Sequence, residues 1–351
     1  MKNIWKKLVV LAVGIALITG VAGCGSNASN NSVKKSEKVN GYKKIRIGCV
    51  GQGNVLVGAI GVSDSLGYLK EELEKVGYEP EIVGFAQAGP AINEAFAAKN
   101  LDVAMYGDLP ATVAKANGTD TTIFATYDSQ MQMGLFVRKG VKDIKSAKDL
   151  PGHKVIVARG TIYHQYFKSL IKAAGVKESD IDQINTYSDA SSLIASGDAD
   201  ALVTFSSTAY YLESKGYGSI VEDTTSHPEW TSQFFGVGLT DYLKENKEAV
   251  KAIIKAMFRG QEYVKKNTQK AYEIWAKKQK GYTPEIYKKE YAYDTSFDYF
   301  SPEITDESIQ KLERLDKFLE DEKLISHTVD MKKFVDKSYY EEAKAEYDGG
   351  K

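Results

Sequence analysis

Three glycines could arrange backbone N–H groups around a small anion. Gly89, Gly107 and Gly160 each follow a predicted strand and lead into a predicted helix. Glycine has no Cβ, so a ligand can approach its backbone closely, and the first N–H groups of a helix are unpaired and bind oxyanions. Each glycine taken singly favours an ordinary tight turn. Their joint position after successive strands predicts a site for a sulfonate, nitrate or carboxylate group.

Polar side chains beside these turns could bond the same solute. Thr161 adds a hydroxyl, and Gln52 and Asn54 add amides on either side of Gly53. Asp108 either accepts from an amino or hydroxyl group of the solute or caps the helix that begins beside it, and the sequence leaves both roles open. A carboxylate that faces the solute would repel bare nitrate, so it favours a solute that also carries a donor.

Further candidates each have an alternative structural role. His164 falls in the first turn of a predicted helix, where it either faces the ligand or packs within the protein. Tyr187 and Phe205 either form an apolar wall for a carbon tail or pack in the core. Arg159 either supplies charge to the anion or points to solvent. Ser129 completes the predicted ligand-binding set, in which we expect backbone groups to matter more than side chains.

No pattern in the sequence predicts catalysis, a cofactor or a bound metal. The four histidines include no i, i+4 pair, and no G-x-S-x-G segment occurs. The glycine-rich loop at Gly51–Gly53 lacks the third glycine of a dinucleotide fingerprint. The formal net charge of −1 gives no basic field for nucleic acid. We therefore expect a protein that binds a solute without transforming it.

The start of the chain predicts export and a lipid anchor. Three lysines precede an apolar run from Leu8 to Val21, which is typical of a signal peptide over residues 1–23 and is short for a membrane-spanning helix. The run ends in V-A-G before Cys24 and resembles the lipobox of bacterial lipoproteins, although a secretory leader with an incidental cysteine would look similar. Residues 24–42 are rich in Ser, Asn and Lys and predict a flexible tether. With Cys24 lipidated, Cys49 has no partner for an internal disulfide and is expected in the core.

The predicted elements that position these residues alternate between strands and helices, which is typical of an α/β fold. Strand, loop and helix alternate three times over residues 45–118, and the same order restarts over residues 154–205. The apolar runs Met133–Val137 and Gln233–Leu239 are interpreted as strands that cross between two lobes. From Asp241 onward the pattern is helical and amphipathic.

Several segments together resemble the sulfonate/nitrate/taurine type of solute-binding protein. The strongest is FAQAGPAINEAFAAKNLDVAMYGDLPATVAKANG at 85–118, with its A-G-P and G-D-x-P turns. It is accompanied by GYLKEELEKVGY at 67–78, IKSAKDLPGHKVIVARGTIYH at 144–164 and the segment at 304–336. The resemblance covers nearly all of the chain from Lys43 to Asp336.

This resemblance implies a two-lobed periplasmic-binding-protein type II fold with a ligand cleft between the lobes. The implied division places lobe 1 at 43–132, lobe 2 with the crossing strands at 133–234, and the rest of lobe 1 with C-terminal helices at 235–351. The family often has a proline near the aromatic residue that corresponds to Phe205, and its absence here leaves the ligand open.

The implied function is capture of a small anionic organic solute and its delivery to the permease of an ABC importer, which a separate ATPase drives. We expect a monomer held on the extracytoplasmic face of the cell membrane by the lipid on Cys24. Two alternatives stay open, a sensor lipoprotein that signals to a membrane kinase and a binder of a thiamine-precursor pyrimidine.

Overall fold

The computed structural model describes Lys38–Val39 and residues 41–350. The predicted signal peptide, Cys24 and the predicted tether up to residue 37 lie outside these residues. Residues Glu37–Lys351 form one compact unit. No helix within the described part of the chain is long and apolar enough to cross a membrane.

The described chain forms α-helices and β-strands that alternate through residues 42–239 and are followed by a helical C-terminal part. The strands are β1 (Lys38–Val39), β2 (Tyr42–Val50), β3 (Tyr78–Phe85), β4 (Val103–Gly107), β5 (Thr121–Met131), β6 (Met133–Arg138), β7 (Lys154–Ile156), β8 (Asp182–Ile184), β9 (Ala201–Phe205), β10 (Gly218–Asp223) and β11 (Ser232–Leu239). The helices are α1 (Gly58–Ser65), α2 (Tyr68–Lys75), α3 (Ala88–Ala97), α4 (Asp108–Ala116), α5 (Ile162–Ala174), α6 (Ala190–Ser196), α7 (Ser206–Ser214), α8 (Thr240–Glu245), α9 (Lys247–Lys266), α10 (Thr268–Lys278), α11 (Pro284–Glu290), α12 (Asp306–Asp321), α13 (Met331–Phe334) and α14 (Ser338–Gly349).

The first sheet has the strand order β3, β2, β4, β11, β5, with β1 paired to the start of β2. Strand β2 is parallel to β3 and β4, whereas β11 is antiparallel to β4 and β5. Ile45 and Ile47 of β2 are fully buried and alternate with the partly exposed Lys44 and Arg46, because successive side chains of a strand point to opposite faces. All five residues of β4 are buried, as expected for an inner strand covered on both faces.

The second sheet has the strand order β10, β6, β9, β7, β8. Strand β7 is parallel to its neighbours β8 and β9, and β6 is antiparallel to β9 and β10. Helices follow β7 and β9 at Ile162 and Ser206, so their first turns lie at the carboxyl ends of these strands, where open α/β sheets bind ligands. The two sheets confirm the predicted α/β fold of two lobes.

The chain passes between the sheets at two places that differ from the predicted crossing strands. Met133–Val137 lies within β6 of the second sheet, and Gln233–Leu239 lies within β11 of the first. Both runs are apolar because they are buried inside a sheet and not because they cross between lobes. The passages are Gln132, between β5 and β6, and residues 224–231, between β10 and β11. The lobe boundary expected after residue 234 therefore falls inside β11.

Candidate functional site

A cavity of about 490 Å³ lies between the carboxyl ends of the two sheets. Its volume is within the range of small-molecule sites. Residues from the first sheet, the second sheet and the C-terminal helices all contribute to its wall. The principal contributors are Cys49, Val50, Gln52, Met105, Tyr127, Met131, Tyr163, Tyr187, Ser188, Thr204, Phe205, Ser207, Thr208, Phe234, Lys278, Gln279, Lys280, Tyr282, Tyr287, Glu290 and Tyr291.

The glycine-rich loop after β2 brings one of its two predicted amides to the cavity. Gln52 lines the wall and is exposed, beside Gly51 in the left-handed conformation at φ 109°. The side chain of Asn54 is held elsewhere, since its Oδ1 accepts a hydrogen bond of 2.7 Å from the N–H of Gly84. Gly53 and Asn54 shape the loop and do not line the cavity.

Aromatic rings form most of the apolar wall. Tyr163 and Tyr187 stack with their centroids 5.8 Å apart, and Phe205 meets Tyr163 edge-on at 5.0 Å. Phe205 also contacts Phe234 at 6.0 Å, and Phe234 stacks on Tyr127 at 5.8 Å. The structure thus places the predicted Tyr187 and Phe205 in the cavity wall, within a continuous group of rings drawn from both sheets.

The glycine turns come together beside the cavity but leave little space. Gly89, Gly107 and Thr161 surround a gap of about 20 Å³, which is room for about one water molecule. The hydroxyl of Thr161 donates to the carbonyl of Ala158 at 2.6 Å and accepts from the N–H of Tyr163 at 3.2 Å, so it caps α5. Gly160 faces Pro90 and lies outside both spaces. The turns that were predicted to hold an anion therefore enclose too little space for a sulfonate in this conformation.

Asp108 does not line the cavity, and its carboxylate serves the fold. One oxygen accepts from the N–H of Leu109 at 2.8 Å and the other from the N–H of Gln233 at 3.0 Å. Burial raises the pKa of Asp108 to about 7, while these two N–H donors and the charge of Lys311 act in the opposite direction. We expected the Asp108 carboxylate to favour a solute that carries a donor. The structure corrects this, because its two oxygens accept hydrogen bonds from the first turn of α4 and from β11.

Three other candidates also lie away from the cavity. Ser129 donates to the carbonyl of Tyr299 at 3.4 Å, and its own carbonyl accepts from Lys311. His164 is buried without lining the cavity, and burial lowers its pKa. Arg159 donates to Gln183 across the surface of the second lobe.

A C-terminal segment, residues 278–291, supplies part of the wall that the sequence did not predict. Its Glu290 accepts a hydrogen bond of 3.3 Å from the N–H of Ser207, in the first turn of α7. Tyr282 stacks on Tyr211 of the same helix at 4.8 Å and bonds Thr208 through its hydroxyl at 3.2 Å. The segment therefore joins the helical part of the chain to the second lobe. Its only signal in the sequence is a concentration of tyrosines.

The charges of the cavity wall are few. Burial raises the pKa of Glu290 to about 7, and the negative charge of Asp128 acts in the same direction, while Ser207 opposes it. Lys278 pairs with Asp64 at 3.5 Å, and Lys280 is exposed and has no salt bridge within residues 41–350. Among the described residues, one carboxylate therefore lies in the inner wall and one ammonium without a salt bridge lies at the exposed rim.

A model of a known protein family matches residues 59–271 of this chain. The family is described as NMT1/THI5 like. The chain belongs to the NMT1/THI5-like family. The match covers more than half of the chain, including most of the first sheet, the whole second sheet and α9.

Relatives of this family member include proteins named for sulfonate binding. A Bacillus subtilis protein named for aliphatic sulfonate binding is 25% identical over 275 residues, which is 77% of each chain. A solved sulfonate ABC transporter periplasmic sulfonate-binding protein from Methylobacillus flagellatus is 27% identical, with a TM-score of 0.70 over 88% of this chain and 96% of that one. The alkanesulfonate-binding protein of Xanthomonas axonopodis pv. citri, solved with MOPS, has a TM-score of 0.70 at 15% identity, covering 84% of this chain and 98% of that one. The last likeness shows the fold alone.

Proposed function

We propose that this chain is the solute-binding component of an ABC importer and captures a small organic solute of the sulfonate class. The observation that carries the proposal is the cavity enclosed between two sheets that are connected by two short passages. Proteins of this form bind by hinge closure around the ligand. Family membership and the names of the relatives support the same function.

The residues around the two passages support a hinge. Nζ of Lys311, in α12, lies 3.4 Å from the carbonyl oxygen of Ser129 and 3.5 Å from Oγ1 of Thr231. Ser129 lies three residues before the first passage, and Thr231 is the last residue of the second. Lys311 therefore holds the first-lobe end of each passage against α12, and we infer that bending occurs in the rest of each passage.

We assign ligand contact first to Gln52, Tyr187 and Phe205, which line the cavity. Gly89, Gly107 and Thr161 come second, because they would reach a ligand only in a conformation that widens the small gap between them. The polar wall can bond a sulfonate through neutral donors such as the Gln52 amide and the Ser188 hydroxyl.

The cellular setting is part of the proposal. We propose that residues 1–23 are removed, that Cys24 carries a lipid, and that the monomeric protein acts on the outer face of the cell membrane. It then delivers its solute to a permease that a separate ATPase drives. Metabolic labelling with a radioactive fatty acid tests this, since a Cys24→Ser chain should not be labelled.

A thermal-shift screen of residues 42–351 tests capture. Sulfonates, nitrate, carboxylates and thiamine-precursor pyrimidines are added in turn, because a ligand that binds only the folded state raises the melting temperature. We expect a sulfonate to raise it. Tyr187→Ala should reduce the shift, and Tyr217→Ala, which alters an exposed tyrosine outside the cavity wall, should leave it unchanged. The sulfonate assignment would be refuted if only nitrate or only a pyrimidine raised the melting temperature, or if none of the compounds did.

A further inference from the structure

The wall of the cavity is rich in aromatic rings. Eight rings line it, from Tyr127, Tyr163, Tyr187, Phe205, Phe234, Tyr282, Tyr287 and Tyr291. They come from both sheets and from the C-terminal segment, so a solute in the cavity faces rings from every side of the cleft. Aromatic rings interact most favourably with other rings in offset-stacked or edge-on geometry.

The rings are arranged in the two geometries that a further ring would extend. Tyr163 and Tyr187 are nearly parallel, with an interplanar angle of 13°, and Phe205 stands edge-on to Tyr163 at 73°. Across the cleft, Tyr127 and Phe234 form a second stacked pair at 26°. Phe205 joins the two pairs by contacting both Tyr163 and Phe234, so a planar solute in the cavity can extend this group by stacking on one ring and meeting another at its edge.

Glu290 is the polar group that sets this wall apart. It lines the cavity beside Tyr287 and Tyr291, and its carboxylate, which has about four acceptor positions, bonds both the N–H and the side chain of Ser207. Within residues 41–350, no Lys or Arg forms a salt bridge with it. The carboxylate therefore retains acceptor capacity on the ligand side, and a carboxylate is the preferred partner of an ammonium or N–H donor.

The charge at the rim is of the opposite sign. Lys280 is exposed, lines the cavity and has no salt bridge within the described residues. Glu290 and Lys280 lie ten residues apart on the same segment, one in the inner wall and the other at the solvent side. This arrangement is complementary to a solute with a donor at one end and an anion at the other.

We propose that the cavity is selective for aromatic solutes that carry an amino or other N–H donor, which Glu290 accepts, with the anionic group directed toward Lys280. The proposal rests on the proposed function, since it specifies the kind of sulfonate that the same cavity takes. The ring of the solute stacks on the aromatic wall, and its N–H group donates a hydrogen bond to the carboxylate of Glu290.

Three sulfonates separate the two parts of the proposal. The first is 4-(aminomethyl)benzenesulfonate, the second is 4-ethylbenzenesulfonate, which has the same shape without the amine, and the third is 6-aminohexane-1-sulfonate, which keeps both end groups without the ring. Calorimetry of residues 42–351 should give the first compound the lowest Kd. We expect the loss of the amine to weaken binding by about tenfold or more, and the loss of the ring by about threefold or more.

Glu290→Gln tests the acceptor with little change to the fold. The glutamine keeps an amide oxygen for the N–H of Ser207 and has nearly the same volume. It should raise the Kd of 4-(aminomethyl)benzenesulfonate by about tenfold and change the Kd of 4-ethylbenzenesulfonate by no more than about twofold. Glu285→Gln is the matched control, because Glu285 is an exposed glutamate of the same helix that does not line the cavity.

The outcomes distinguish this proposal from the function on which it rests. If all three sulfonates bind equally and Glu290→Gln changes none of them, the protein is a sulfonate binder without the proposed selectivity. If an aliphatic sulfonate binds best, the aromatic preference is refuted. If no sulfonate binds, the proposed function itself fails.

Discussion

Gly107→Ala should weaken ligand binding by holding the lobes apart. Gly107 ends β4 of the first lobe with φ −67° and ψ 150°, a conformation that any residue adopts. A Cβ at this position would lie 2.5 Å from Cγ2 of Ile162, at the start of α5 in the second lobe. Its nearest neighbours within the first lobe, Phe234 at 3.3 Å and Pro110 at 3.6 Å, are almost at contact distance. The added methyl group therefore conflicts mainly with the opposite lobe.

The size of the effect follows from that single contact. Carbon atoms normally approach to about 3.5–4.0 Å, so the lobes must separate by about 1 Å locally. Overpacking of this kind costs about 1–3 kcal/mol. We expect an open form, in which the lobes lie apart, to lack this contact, so the cost should fall on closure and raise Kd by about five- to 150-fold.

The assay is calorimetry with the solute that the thermal-shift screen selects, together with urea unfolding of the ligand-free protein. The free energy of unfolding should change far less than the affinity. Ile162→Ala removes Cγ2, so the double variant Gly107→Ala/Ile162→Ala should bind more tightly than Gly107→Ala alone. Unchanged affinity in Gly107→Ala, or no recovery in the double variant, would show that this contact is not part of the ligand-bound form.

Two further predictions concern the buried charges. Lys311→Met removes a half-buried cation whose charge acts to lower the pKa values of Asp108 and Asp128, and should lower the free energy of unfolding by about 1 kcal/mol at pH 8 and by less at pH 5.5, whereas Lys317→Met on the exposed side of the same helix should have little effect. Burial raises the pKa values of Asp108, Asp128 and Glu290 to about 7, so the folded state binds more protons than the unfolded state between about pH 4 and 7, and stability should fall as the pH rises through this window. One buried histidine with a lowered pKa opposes this trend by at most one proton. Urea unfolding at pH 5.5 and 8 measures both effects, and a higher stability at pH 8 would contradict the assignment.

The sequence predicted the parts of the fold that depend on local patterns. Gly107 ends β4, and Gly89 and Gly160 come shortly after β3 and β7, because the local sequence sets where a strand ends before a helix. Which side of a helix faces the other lobe depends on contacts between distant segments, and the local sequence does not determine it. The sequence therefore singled out His164, whereas the structure turns Tyr163, one residue earlier, into the cavity.

Contacts between distant segments account for the remaining differences. The role of Asp108 was left open because its second partner, the N–H of Gln233, is 125 residues away in the sequence. Glu290 was missed because α11 shows only a short helical pattern, and nothing local indicates that it reaches the first turn of α7. The cavity wall is built from such long-range pairs, which neither composition nor periodicity encodes.

The position of the C-terminal segment has a consequence for how ligand preference diverges among related proteins. The family match ends at residue 271, and the segment that carries Glu290 and Lys280 begins at 278. Membership of the family therefore leaves the identity of these two residues open, and a relative that keeps the contacts of the segment to α7 can carry other charges at the two positions.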